Sequence, residues 1–305
     1  MSLKLKYSKE VESAKNKHKP ILALESTIVA HGMPFPQNLN FALEAESICK
    51  SLGVTPATVA IIGGTICVGL EKEELDLISR SNNIKKVSMR ELGLAVSLGW
   101  SGATTVSSTM HVAKRANIEV FATGGIGGVH RGVDQSCDIS QDLAALSKLS
   151  MVVISAGAKS ILDLPKTVEL LETLGVCMVG FKTSDFPSFY SRSSGIKKVT
   201  KVNSVKKISE VFLNNRSLES LGATLVLNPT PAESEIPLEI MNPIVRSAMA
   251  ELNKRKIEGK MVTPFLLSYI HEKTKGKSLD VNISLALNNV QLGAKIAKSL
   301  NACGG

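Results

Sequence analysis

Between residues 20 and 227, short β-branched apolar runs alternate with amphipathic stretches, and no Pro/Ser-rich or charge-rich linker interrupts them. Such alternation builds a parallel or mixed sheet, because a crossover between parallel strands takes a dozen or more residues and is usually a helix. An α/β protein follows. Strands are expected over 20–27, 57–62, 65–70, 118–122, the apolar run that opens at Met151, 176–181 and 223–227. Helices are expected over 38–52, 71–79, from about 103 to 117, from the cap at Asp138 to 149, and over 166–174. The C-terminal part reads as helical throughout, over 240–257, 265–273 and 281–300. With 305 residues, 44% of them hydrophobic, one large core is within reach. A single domain over 19–305 is expected, preceded by a polar arm over 1–18.

Composition removes several classes of function. Five cysteines, odd in number and without a C-x-x-C pair, indicate neither a disulfide framework nor a zinc ribbon, and fit a reducing compartment. No run approaches the ~18 to 20 apolar residues of a membrane span, and the lysine-rich start lacks the apolar core of a signal peptide. No membrane role and a cytoplasmic location are expected. The net charge of +9 favours phosphate-bearing partners. Aromatic residues are only 4% and the lysines are dispersed, which argues against a nucleic-acid platform.

The residues that carry chemistry cluster in a few places. Lys159 ends the run that opens at Met151, where Ala156, Gly157 and Ala158 allow a tight turn that brings an amine to a sheet edge. A lysine amine is ordinarily protonated near neutrality and becomes a nucleophile when burial or nearby positive charge frees it. Glu25 breaks an apolar strand, where a carboxylate either pairs with a cation or has a raised pKa suited to proton transfer. The hydroxyl-rich stretch from Thr104 to Thr109 opens a helix, a place that favours a phosphate as well as an ordinary cap. Gly124 to Gly128 lacks dinucleotide spacing and instead lets backbone approach a small ligand. Asp138 and Asp142, one helical turn apart, read either as a cap and its neighbour or as oxygen ligands for Mn²⁺ or Mg²⁺. His31, in a loop after the Glu25 strand, and His130, after the glycine turn, both reach the same sheet edge. His18, His111 and His271 look incidental, and Thr183 to Gly195 reads as a mobile loop near the site.

The blocks ALESTIVAHGMPFPQN (23–38), PATVAIIGG (56–64), KVS (86–88), GATTVSSTM (102–110), FATGGIGGVHRG (121–132), DIS (138–140), AGAKSILDLP (156–165) and TPFLL (263–267) closely resemble the pseudouridine-5′-phosphate glycosidase, or indigoidine synthase A-like, family. The resemblance implies a three-layer α/β/α sandwich around a mixed, largely parallel sheet, a homotrimer, and one divalent metal per subunit, commonly Mn²⁺. It implies reversible cleavage of pseudouridine 5′-phosphate to uracil and ribose 5-phosphate. By the same resemblance Lys159 is the nucleophile that forms an imine with ring-opened ribose, and Glu25 the proton donor. Lys86, Val106, Ser140, Gln141, Asp142 and Asn282 contact substrate, and Asp138 binds the metal. Thr105, Ser107 and His130 join the substrate set, the first two at the helix start that would hold phosphate. Lys85 competes with Lys86 for that phosphate. Two other readings stand: a lysine-imine sugar-phosphate lyase of aldolase type, and a basic RNA-binding protein.

Overall fold

Ile-Leu-Ala-Leu-Glu at 21–25 is a strand because its apolar residues face both sides and lie in the middle of a sheet, where Leu22, Ala23 and Leu24 are shielded from water. The computed structural model describes residues 4–257 and 262–303. Among them eleven strands form one sheet. These are β1 (Lys6–Tyr7), β2 (Ile21–Glu25), β3 (Thr55–Ile62), β4 (Thr65–Val68), β5 (Lys85–Val87), β6 (Gly102–Thr104), β7 (Val120–Ala122), β8 (Val152–Ser155), β9 (Cys177–Phe181), β10 (Thr200–Val202) and β11 (Thr224–Leu227). The main order is β1-β4-β3-β2-β7-β8-β11-β9-β10, and every pairing is parallel except β3 with β4 and β3 with β6. The fold is α/β around a mixed, mostly parallel sheet.

The centre of the sheet is dry. Val152, Val153 and Ile154 of β8 are fully buried, each worth about 1.5–3 kcal/mol of transfer free energy. The helices Gln37–Ser51 and Lys277–Cys303 pack together over one face. Gly293 in the second of them lets the helix settle onto Leu22 and Ala122, since a Cβ there would lie 3.0 Å from Leu22 Cδ1. The helix Val106–Arg115 rests on β2 and β3 beside Gln141–Lys148.

Two features of the topology position the site. β2 lies between β3 and β7, so the chain leaves it to opposite sides and opens a crevice at the C-terminal strand ends. In addition the sheet forks. β3 pairs with β2 as far as Val59, then with β6 through Ala60 and Ile61, and β6 carries β5 on its other edge. Buried hydroxyls close the fork. Ser26 Oγ and Thr104 Oγ1 both donate to the Val59 carbonyl at 2.7 Å, and the Thr104 amide donates to Ser26 Oγ.

Several expectations change. Gly102–Thr104 is a strand, and the helix begins only at Val106, because the Ala103 and Thr104 backbones are taken by β3 and β5. Asp138 does not cap the following helix. That helix starts at Gln141, and Ser140 caps it by accepting from the Asp142 amide. His31 ends a short helix, Thr27–His31, rather than lying in a loop. The segment 183–195 is anchored: Phe186, Phe189 and Tyr190 are buried, and Phe189 N donates to Ala156 O at 2.9 Å. The polar start joins the sheet through β1, and the helix Lys9–Asn16 buries Val11 and Ala14. No helix among the described residues is long and apolar enough to cross a membrane.

Candidate active site

Lys159 is presented by two loops laced together. After β8 the chain turns at Gly157, whose φ of +82° and close approach to Pro187 O, 1.9 Å from where a Cβ would stand, admit only glycine. The loop after β7 runs alongside it. Ala156 N donates to Gly124 O at 2.9 Å, Ile126 N to Gly157 O at 3.0 Å, and Lys159 N to Ile126 O at 3.2 Å. The glycine turn is thus a backbone splint for the lysine, whose side chain is half-buried.

Glu25 stands one step past the paired row Leu24, Ala122, Ile154 and Val226, so Glu25, Thr123 and Ser155 line the C-terminal edge of three adjacent strands. Thr123 Oγ1 donates to Glu25 Oε1. Burial pushes the Glu25 carboxyl above the ordinary carboxylate range. The Lys159 charge, the Thr123 hydroxyl and Lys86 pull it back, and Asp142 adds to the rise. Those electrostatic partners bring Glu25, Lys159, Lys86 and Asp142 into one field.

The neighbouring lysines on β5 separate by strand alternation. Lys85 lies over the Trp100 ring, 4.1 Å from its centre, while Lys86 acts on Glu25, His31 and His130. Lys86 therefore faces the crevice. Val106 and Ser107 are buried at the adjoining helix start, and Thr105 Oγ1 is 3.1 Å from Ser107 Oγ. Asp142 is wholly engaged there: Oδ1 accepts from the Ser107 amide at 3.0 Å and Oδ2 from the Gly127 amide at 2.8 Å. A protein carboxylate thus already occupies one of the helix-start amides expected for phosphate. Gln141 Oε1 accepts from the Arg90 amide at 3.2 Å.

Asp138 and Asp142 do not share a helix face, since Asp138 precedes the helix. Asp138 is half-exposed and pairs with His130, Oδ2 to Nδ1 at 3.8 Å. Burial lowers the His130 pKa, with Asp138 opposing and Lys159 and Lys86 reinforcing the drop. His31 is lowered by burial and by Lys86. Among the described residues no three His, Cys, Asp or Glu side chains gather to cage a metal.

Asn282, on the long C-terminal helix, is buried with Oδ1 unpartnered, 3.6 Å from where a Gly124 Cβ would stand. The buried hydroxyls of Ser155, Ser160 and Ser188 also lack partners, and all three belong to the segments around Lys159. Such atoms cost about 1–3 kcal/mol each unless a ligand or water completes them. Their concentration marks this crevice as a place built for a polar ligand. Three residues here were not singled out in the sequence. Thr123 is one. The others are Asn289, whose Nδ2 donates to Thr123 O at 2.8 Å and Gly124 O at 3.2 Å, and Asn228, which donates to Asn289 Oδ1 at 3.0 Å. An asparagine amid an apolar helical stripe, fully buried here, was the available signal for Asn289.

The sequence pattern of indigoidine synthase A like protein matches residues 10–299. The chain belongs to the indigoidine synthase A-like family. A family relative from Staphylococcus aureus, named pseudouridine-5′-phosphate glycosidase, is 47% identical over 297 residues, covering 97% of each chain. One of the same name from Petrotoga mobilis is also 47% identical over 297 residues. The crystal structure of an indigoidine synthase A-like protein from Thermotoga maritima superposes with a TM-score of 0.90 at 37% identity, covering 97% of this chain and 96% of the other. That of a prealnumycin C-glycosynthase in complex with ribulose 5-phosphate superposes with a TM-score of 0.92 at 31% identity, covering 100% and 99%. The crevice is accordingly that of an indigoidine synthase A-like enzyme.

Proposed function

We propose that this protein is a pseudouridine-5′-phosphate glycosidase, cleaving the C–C glycosidic bond reversibly to uracil and ribose 5-phosphate through an imine on Lys159. The observation that carries this reading is the meeting of a half-buried amine, Lys159, with a buried carboxyl whose pKa burial raises, Glu25, at the crevice where strand order reverses. The relatives named for this activity support it, and the C-glycosynthase bound to ribulose 5-phosphate supports a phosphorylated sugar as the substrate class.

A C–C bond offers no leaving oxygen to protonate, so covalent catalysis supplies the electrons. Lys159 Nζ attacks C1′ and loses a proton. The C1′–O4′ bond breaks, its pair going to O4′, which takes a proton from Glu25. The Glu25 carboxylate takes up the Nζ proton and passes it to C5 of the base. The Nζ lone pair forms the imine as C1′–C5 breaks, and that electron pair returns to the uracil ring. Water adds to the imine carbon and gives a proton back to Glu25, and the amine departs as ribose 5-phosphate is released. The sum is pseudouridine 5′-phosphate plus water giving uracil plus ribose 5-phosphate. Proton transfer by a group such as Glu25 contributes ~10² to 10⁴ in rate.

Lys86 and the Thr105 and Ser107 hydroxyls hold the 5′-phosphate and fix C1′ against the amine. Asn282 and the unpartnered hydroxyls orient the base. A single half-exposed carboxylate, Asp138, beside His130 fits a hydrated Mn²⁺ or Mg²⁺ that keeps most of its waters. Such an ion supplies polarisation of substrate oxygens. A homotrimeric assembly and a cytoplasmic location complete the proposal. The test is uracil release from pseudouridine 5′-phosphate, with borohydride added alongside ribose 5-phosphate. An adduct on the Lys159 peptide is expected, and an unmodified peptide from an active enzyme would sink the imine.

A further inference from the structure

The long C-terminal helix reaches the crevice from behind. It covers the sheet face that bears Leu22 and Ala122, against which its Gly293 is fitted. Side chains alternate along a strand, so Glu25 and Thr123 point to the opposite face. What the helix grips is the backbone of Thr123. Where β7 and β8 end, Ala156 N donates past the Thr123 carbonyl to that of Gly124 at 2.9 Å. The Asn289 amide takes both carbonyls, at 2.8 Å and 3.2 Å. Its Oδ1 accepts from Asn228 Nδ2 at 3.0 Å, and Asn228 N donates to Ser155 O at 2.9 Å. One pair of buried side-chain amides thus ties the ends of β7, β8 and β11 together. An amide suits the place, because two carbonyls demand two donors and Asn228 demands an acceptor.

We propose that Asn289, locked by Asn228, is a positioning residue that aims the Thr123 hydroxyl at Glu25. The inference rests on the reading of Glu25 as the acid of the proposed function. With its carbonyl held from one face of the sheet, the Thr123–Gly124 peptide cannot turn, and on the other face Oγ1 donates to Glu25 Oε1. A buried carbonyl robbed of its donor costs free energy, so the peptide turns to find another partner and carries the hydroxyl with it. The Thr123 bond favours the ionised carboxyl and so opposes the rise that burial imposes on Glu25. The charged groups that also face Glu25 are Lys159 after β8, Lys86 on β5 and Asp142 on the helix Gln141–Lys148. Removing the Asn289 donors leaves these three in place. The pH at which Glu25 loses its proton therefore reports the Thr123 bond.

The full-length enzyme tests this with Asn289→Leu, which keeps the bulk and removes the donors, with Thr123→Val, which removes the hydroxyl itself, and with the double variant. Each single variant is expected to lower kcat for uracil release about 10-fold with KM within about threefold, since the seat of the phosphate is untouched. In both, the alkaline limb of the kcat–pH profile, where Glu25 loses its proton, should move up by about one pH unit, the worth of one hydrogen bond to the carboxylate. The double variant should match Thr123→Val in both readouts, because Asn289 acts through that hydroxyl. Thr123→Ser, which keeps the hydroxyl, should keep the parent limb. Asn289→Leu turnover within about twofold of the parent, a loss with an unmoved limb, or losses that multiply in the double variant each overturn the assignment. Where far-UV circular dichroism shows that Asn289→Leu does not fold, Asn228→Val, which frees Asn289 Oδ1, decides by the same criteria. If the parent enzyme itself releases no uracil, the proposed function fails instead, so the two failures are distinguishable.

Discussion

Glu25→Gln isolates the proton on which the proposed chemistry depends. The amide oxygen still accepts from Thr123 Oγ1, and the side chain has the same length and shape, so the buried edge of β2 keeps its packing. What disappears is a titratable group whose folded-state pKa lies above the ordinary carboxylate value, chiefly through burial. Uracil release from pseudouridine 5′-phosphate should fall ~10² to 10⁴-fold in kcat. Stability should show the opposite trend. Between the ordinary value, about 4.3, and the raised one, the folded parent holds a proton that the unfolded chain has released. Parent stability therefore falls relative to Glu25→Gln as pH rises through that window, at a limiting slope of about 1.4 kcal/mol per pH unit. Above the window the pH-linked part of the difference is constant, and below the ordinary value it vanishes. Urea denaturation of both proteins across pH 4 to 9 measures the difference directly. Uracil release within threefold of the parent, or parent stability rising relative to the variant with pH, refutes the assignment.

Lys159→Met should abolish uracil release and the borohydride-trapped adduct while far-UV circular dichroism stays unchanged. Lys86→Ala should raise KM for pseudouridine 5′-phosphate about 10- to 100-fold, the worth of a charged hydrogen bond, and Lys85→Ala should leave it within twofold because that lysine is spent on Trp100. Gly157→Ala should cost more than about 3 kcal/mol in urea titration, since it combines a left-handed φ with a clash against the Pro187 carbonyl. Chelation should lower turnover reversibly, with Mn²⁺ restoring the parent but not Asp138→Ala.

The sequence made the long, strongly patterned elements legible. β2, β3, β8, β9 and β11 are largely apolar runs, and the helices Gln37–Ser51 and Lys72–Arg80 carry clear periodicity or end signals. The short strands were not legible. Lys85–Val87 and Gly102–Thr104 span three residues each, too few to show alternation, and they are strands because each pairs with the other at the fork. Asp138 looked like a cap because Asp with Gln three residues on has that spacing; the hairpin joining Val129 to Ile139 held it out of the helix and gave the cap to Ser140. The aromatic loop read as mobile because Thr183 to Gly195 has no period, yet Phe186 and Phe189 are pinned against Gly157 and Gly125. Such contacts lie between segments distant in the chain, where no local pattern reports them. Lys159, Glu25 and the glycine turn were visible, and the asparagines that brace the turn were not.

The fork in the sheet has an evolutionary consequence. Lys86, Thr105 and Ser107 sit on or just after the short β5–β6 branch, whereas Glu25, Thr123 and Lys159 sit at or just after the ends of strands of the main sheet. The two pieces meet through Ala60, Ile61 and a few hydroxyls. Under the proposed reading, the grip on the substrate's phosphate and the machinery that severs its bond are inherited on separate modules. Replacements along the branch retune which phosphorylated sugar is seated, while the lysine and its acid keep their alignment. A lineage could thereby exchange substrates without reinventing its chemistry.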